Sequence, residues 1–231
     1  MEPVVFLPGF MSDGRIFRDL IEPMSQSRTV QVASLSGVDT VREMAAKVLE
    51  SLPGRCMLVG HSLGGMVAME VARRAPKGVS RLALIATDAL SELPGVAATR
   101  DTMIARARAG RLEDAMAEAL PLTSLAPGTA RASVLDTVRD MAERAGPDTF
   151  QAQSRALQRR PDQQGTLRRL SMPTLVLCGA HDQIFTPRRH ELMAGLLPRA
   201  KLVVLDASGH LPMLEQPDVV SDYLTRWMAA P

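Results

Sequence analysis

The sequence predicts an α/β fold, a parallel sheet clad in helices and interrupted by a helical insertion. Three observations carry this reading. Short apolar runs rich in β-branched residues alternate with helical patterns along the chain. Most of these runs are near-continuous rather than alternating, as befits strands covered on both faces. Between the fourth and fifth runs, residues 90–170 hold no convincing strand.

Taken in order, the first run is Val4–Leu7, which Pro8-Gly9 terminates. A helical pattern at 16–24 follows, then a second run at 29–35 and a longer helical pattern at 38–52. The third strand is expected at 56–60, with a helix at 63–74 directly after it, and the fourth strand at 81–87. Pro94-Gly95, Gly110, Pro127-Gly128, Gly146-Pro147 and the stretch 161–165 then punctuate the insertion into four helices. The strand–helix rhythm resumes with strands at 173–179 and 201–206, each followed by a helix, at 188–197 and 217–228. The expected division is a core of residues 1–89 and 171–231 with a helical cap at 90–170.

Composition narrows the function. A chain of 231 residues with 46% hydrophobic content can fill a substantial core. Its 27 basic and 25 acidic residues are interspersed, so no basic stripe points to nucleic acid or to an anionic membrane surface. Cys56 and Cys178 sit inside apolar runs and read as free core thiols. No segment approaches the ~20 uninterrupted apolar residues of a membrane span. The start, with Glu2 and Pro3, lacks the basic, apolar pattern of a signal peptide. A soluble, cytoplasmic protein is expected, either monomer or homodimer.

The stretch "VGHSLGGMVAME" places Ser62 where an apolar run gives way to a helix. In a tight strand-to-helix turn, Gly60 and Gly64 would leave room for the backbone that lifts a serine hydroxyl above the sheet. The helix N-terminus would favour negative charge developing there. A serine hydroxyl is inert at neutral pH unless a histidine takes its proton and a carboxylate orients that histidine. Suitable partners follow later strands: Asp182 in "LCGAHDQIFTP" and His210 in "LDASGHLPMLEQP". Catalytic groups of open parallel sheets gather at such carboxyl ends, and the order Ser, Asp, His matches one known triad arrangement.

Four segments in order, "VVFLPGFMSDGRIF", "GHSLGGMVA", "GAHDQIFTP" and "SGHLPMLEQP", resemble those of α/β-hydrolase-fold proteins with a helical cap. The resemblance spans almost the whole chain. It implies Ser62 as nucleophile, His210 as general base and then acid, and Asp182 as the carboxylate that holds His210. It implies an oxyanion hole from the backbone amides of Leu63 and Phe10, although relatives carry His-Gly where this chain has Pro8-Gly9. Asp88, after the fourth strand, is the alternative acid. The implied sheet is mostly parallel, with six strands in the order 2-1-3-4-5-6, and lacks the N-terminal hairpin usual in the family.

Phe10, Met11 and Met103 are candidates to line an acyl or alcohol pocket, and Arg106, Arg108, Arg155, Arg159 and Arg160 to meet a substrate carboxylate. Of the other histidines, His61 is expected to brace loops, His181 to pack or bond locally and His190 to lie on an exposed helix. None has metal-ligand spacing, and neither metal nor cofactor is expected. The expected activity is cleavage of a small carboxylic ester, lactone or thioester through an acyl-enzyme. Alternatives on the same fold are a C–C bond hydrolase, cofactorless oxygen chemistry and a non-catalytic ligand-binding protein.

Overall fold

The computed structural model describes residues 1–129 and 131–230. Six strands, β1 (Val4–Leu7), β2 (Val30–Val32), β3 (Cys56–His61), β4 (Val79–Ile85), β5 (Thr174–Gly179) and β6 (Ala200–Leu205), form one sheet in the order β2-β1-β3-β4-β5-β6. Every pairing is parallel. All strands therefore end on the same edge, and the loops that follow them share one rim.

Side chains alternate across this sheet, which explains the near-continuous apolar runs. Val4 and Phe6 point into one core layer with Phe17, Leu20, Leu224 and Trp227 of flanking helices. Val5 and Leu7 point into the other, with Met44, Val48, Met66, Met69 and Met193. Burying each of these larger side chains fully contributes roughly 1.5–3 kcal/mol. The first layer belongs to α1 (Arg18–Ser25) and α9 (Pro217–Ala229), the second to α2 (Val41–Glu50), α3 (Leu63–Arg74) and α8 (Pro187–Leu196). Cys56 and Cys178 are free and buried. Burial pushes their thiols up, to about 11 and about 12, so both stay protonated and inert at neutral pH.

Boundaries differ from the sequence reading where pairing, not hydrophobicity, decides. The run at 29–35 yields a strand of three residues because its only neighbour, β1, is four residues long and matches Val30, Gln31 and Val32 alone. Strand β4 begins two residues earlier than expected, at Val79, where Cys56 pairs with it, and stops at Ile85 because Ala86 turns to a positive φ of 45°. Helix α2 starts at Val41 because the Thr40 hydroxyl caps it by accepting the Glu43 amide hydrogen bond.

Between β4 and β5 lie α4 (Pro94–Arg108), α5 (Leu112–Ala119), α6 (Arg131–Gln158) and the single turn α7 (Gln164–Leu167). Helix α6 is two limbs joined at Gly146, whose φ of 76° and ψ of 172° break the helix before Pro147. Counting those limbs separately, four longer helices occupy the insertion among the described residues. No helix of the described residues is long and apolar enough to cross a membrane.

Candidate active site

Ser62 stands between β3 and α3 with φ 51° and ψ −117°, a conformation costly for a residue with a side chain. Four hydrogen bonds to its main chain enforce it. The Ser62 amide donates to the Ile85 carbonyl at 3.0 Å, while its carbonyl accepts from the Gly65 and Met66 amides and from the Thr87 hydroxyl at 2.6 Å. The turn also demands small residues. A Cβ on Gly60 would lie 2.5 Å from the Gly64 carbonyl oxygen, and one on Gly64 would overlap the Leu7 carbonyl.

The loops after β5 and β6 bring two partners to this turn. Asp182, buried, accepts the Ile184 and Phe185 amides at 2.8 and 3.0 Å through Oδ1, leaving Oδ2 to accept from His210 Nδ1 at 2.9 Å. His210 Nε2 lies 3.2 Å from Ser62 Oγ. Burial opposes ionisation of Asp182, but the adjacent His210 and the Phe185 amide outweigh it and hold the carboxyl below its usual range. A carboxylate at Nδ1 keeps the proton there and leaves Nε2 free to accept the serine proton. The three groups can thus work as an acid–base chain.

Two supports for His210 carry no clear sequence signal. The Glu215 carboxylate accepts the amides flanking it, from Gly209 at 2.9 Å and Leu211 at 3.0 Å, and also the Ala126 amide at 2.7 Å. The His210 amide itself donates to the Ser124 carbonyl at 2.7 Å. Ser124 and Ala126 belong to the insertion, so this segment and the β6 loop hold the histidine jointly.

His61 Nε2 donates to the His210 carbonyl at 2.9 Å, a bracing contact behind the imidazole. Burial, followed by repulsion from His210, pushes the His61 imidazole down to about 3. Unfolding exposes a histidine that titrates near 6.5. Between those values the unfolded chain binds the extra proton, so stability is complete above pH 6.5 and declines as the pH falls. Urea denaturation at stepped pH should show wild type losing about 1.4 kcal/mol per pH unit more than His61→Gln across this window. Equal slopes would show that the histidine is not held neutral.

His190 departs from the expected exposed position. It is fully buried, with Nε2 accepting the Thr87 amide at 3.0 Å and Nδ1 donating to the Thr186 carbonyl at 3.1 Å. Packing of α8 against β5 and β6 turns that face inward. His181 is exposed, and its amide donates to the Ser208 carbonyl. Asp88 is buried but does not meet His210. Its carboxylate accepts the Leu90 amide and pairs with Arg189 and, at 3.7 Å, with Arg160.

The cavity over Ser62 is about 50 Å³, and Phe10, Ser12, Arg100, Met116, Leu157 and Phe185 are among its walls. Phe10, in the loop after β1, and Leu63, directly after Ser62, bear amides with no hydrogen-bond partner among the described residues. The other pocket candidates lie elsewhere. Met11 is buried, its amide donating to Gln153, and it lines a neighbouring cleft of about 420 Å³ that shares Ser12 with the walls of the Ser62 cavity. Met103 is packed in the core. Arg106 pairs with Glu118 and Arg155 with Asp101, each at 2.5 Å, on helix surfaces. Sequence reasoning does not single out Arg100, yet it continues the α4 stripe of Met103, Ile104 and Ala107, a spacing that puts it on the inward face.

A family model described as alpha/beta hydrolase fold matches residues 2–217. A pimeloyl-[acyl-carrier protein] methyl ester esterase of Nitrosomonas europaea is 28% identical, over 93% of this chain and 91% of that protein. Among solved structures, a thermophilic esterase from Thermogutta terrifontis, determined with malate bound, superposes with a TM-score of 0.88 at 29% identity, covering 99% of this chain and 89% of the other. The enol-lactonase of Burkholderia xenovorans shares the fold, with a TM-score of 0.87 at 21% identity over 99% and 92% of the two chains.

Proposed function

Because the chain belongs to the α/β-hydrolase fold family, we propose that it is a serine hydrolase that cleaves a small carboxylic ester, lactone or thioester through an acyl-enzyme. The observation that carries this reading is the hydrogen-bonded chain from Ser62 Oγ through His210 to the buried Asp182, at 3.2 and 2.9 Å. The esterase names of its relatives support the same substrate class.

In this reading Ser62 attacks the substrate carbonyl as His210 Nε2 takes its proton. The resulting imidazolium is stabilised by Asp182, and the oxyanion is received by the Leu63 and Phe10 amides, at the N-terminus of α3 and in the loop after β1. His210 then gives its proton to the leaving group, and the ester-derived alcohol or the thiol departs. Water, deprotonated by the same nitrogen, attacks the acyl-serine and frees the acid. The strained φ of Ser62 serves this chemistry by holding the hydroxyl clear of its own helix.

Residues 90–170 act as a cap over the core of 1–89 and 171–231, supplying walls of the cavity such as Arg100 and Met116. A separate groove of about 180 Å³ between α5 and α6 shares Met116, Leu120 and Val138 with the walls of that cavity.

Incubation with a fluorophosphonate probe, followed by peptide mass spectrometry, should place the adduct on Ser62. The protein should also hydrolyse p-nitrophenyl esters from acetate to octanoate, with a preference among chain lengths. A protein that neither takes the label nor turns over any ester in that series is not a serine esterase.

A further inference from the structure

Resting on that hydrolase reading, a cluster of buried charge beside the catalytic cavity narrows the substrate. Asp88 and Glu92 face three guanidinium groups, Arg100, Arg160 and Arg189. The carboxylates are fully engaged. Glu92 accepts from Arg100 Nε and Nη2 at 2.7 and 2.8 Å and from Arg160 Nη1 at 2.5 Å. Asp88 is held by Arg189 and the Leu90 amide, with Arg160 nearby. The cluster thus holds one positive charge in surplus, with Arg189 partly open to water at 28% side-chain exposure but Arg100 and Arg160 at 11% and 5%, where an unmatched charge is costly.

The surplus has an outlet at Arg100. Its side chain is only 11% exposed, yet it lines the cavity that contains Ser62. Glu92 occupies the Nε–Nη2 edge, while Nη1 has no hydrogen-bond partner among the described residues. The guanidinium carbon lies 6.0 Å from the centre of the Phe10 ring, the residue whose amide is the proposed oxyanion donor. The rest of the wall is apolar, as with Met116, Leu120, Leu157 and Phe185, or neutral and polar, as with Ser12. Arg100 is therefore the one permanently charged side chain that lines the Ser62 cavity among the described residues.

We propose that Arg100 is a specificity-determining residue that binds an anionic group, a carboxylate, on the acyl part of the substrate, so that the preferred substrates are monoesters or lactones of short dicarboxylic acids. Glu92 positions it by fixing one edge of the guanidinium and turning the other toward the cavity. The carboxylate neutralises the surplus charge on binding, and a charge-assisted bond replaces the lost hydration.

The test compares monomethyl succinate, glutarate and adipate with their neutral isosteres, in which a primary amide replaces the free carboxylate. For at least one chain length, wild type should favour the anionic ester in kcat/KM by about tenfold or more, the scale of one charge-assisted hydrogen bond. In Arg100→Gln that ratio should collapse toward one, with the loss on the anionic ester carried mainly by KM, and Arg100→Lys should recover part of it. A purely structural Arg100 would lower both substrates alike and leave the ratio intact; that result, or a wild-type preference for the amide at every length, overturns the proposal. Fluorophosphonate labelling separates the two levels. Labelled enzyme without anionic preference refutes the role of Arg100 alone, whereas unlabelled protein inert toward every ester refutes the hydrolase reading and this proposal with it.

Discussion

Ser62→Ala is expected to lower kcat/KM for its best ester by roughly five to six orders of magnitude, because members of a triad act as one unit and loss of the nucleophile removes nearly all of their contribution. The residual rate should reflect only binding and oxyanion stabilisation. The fold should tolerate the change well. The turn is held by the main chain of Ser62 and by the glycines around it, not by the hydroxyl, and alanine is smaller than serine. Circular dichroism and a melting curve should match wild type closely, while fluorophosphonate labelling disappears. A variant that folds normally and still hydrolyses esters within about a hundredfold of wild type, far above the residual rate of a broken triad, would remove Ser62 from the mechanism.

Asp182→Asn should reduce turnover by about four orders of magnitude at neutral pH. The change is isosteric, but an amide at this position can donate toward His210 Nδ1. It then favours the tautomer that carries its proton on Nε2, the atom that must receive the serine proton. A neutral side chain would also no longer offset the imidazolium that forms in the transition state. The comparison with Asp88→Asn is decisive. Asp88 binds Arg189, Arg160 and the Leu90 amide rather than His210, so its substitution should show mainly as lost stability, with far less effect on kcat. A larger kcat loss in Asp88→Asn than in Asp182→Asn would reverse the assignment of the acid.

Much of this architecture is legible in the residues themselves. Strands buried on both faces announce themselves as unbroken apolar runs, and Val4–Leu7, Cys56–His61 and Thr174–Gly179 lie close to where those runs place them. The edge strand β2 is shorter than its apolar run because an edge is limited by its neighbour's length, which no local pattern encodes. Ser62, Asp182 and His210 stand out because each follows a strand whose end the sequence marks. Glu215 does not, since one carboxylate on a short helix looks like any surface acid until its three amide partners are in place. His190 misleads for the converse reason, its burial being decided by the sheet packed against α8. The arginines are harder to sort. Choosing Arg100 over Arg106 or Arg155 requires knowing which stripe of a cap helix faces the cavity, and so many arginines on those helices hide the one that does.

The Ser124 carbonyl that receives the His210 amide bears on how this protein can be re-engineered. Exchanging the helices between β4 and β5 among relatives is a route to new substrate ranges, and the proposed cap of residues 90–170 is the segment such an exchange would move. Here the seam is not clean. A foreign cassette would have to bring its own main-chain carbonyl to the His210 amide and its own amide to Glu215, in place of Ser124 and Ala126. Chimaeras cut at 90 and 170 should therefore trade selectivity for damaged proton transfer, whereas junctions that leave 121–127 with the parent core keep the histidine anchored while the helices around the cavity are exchanged.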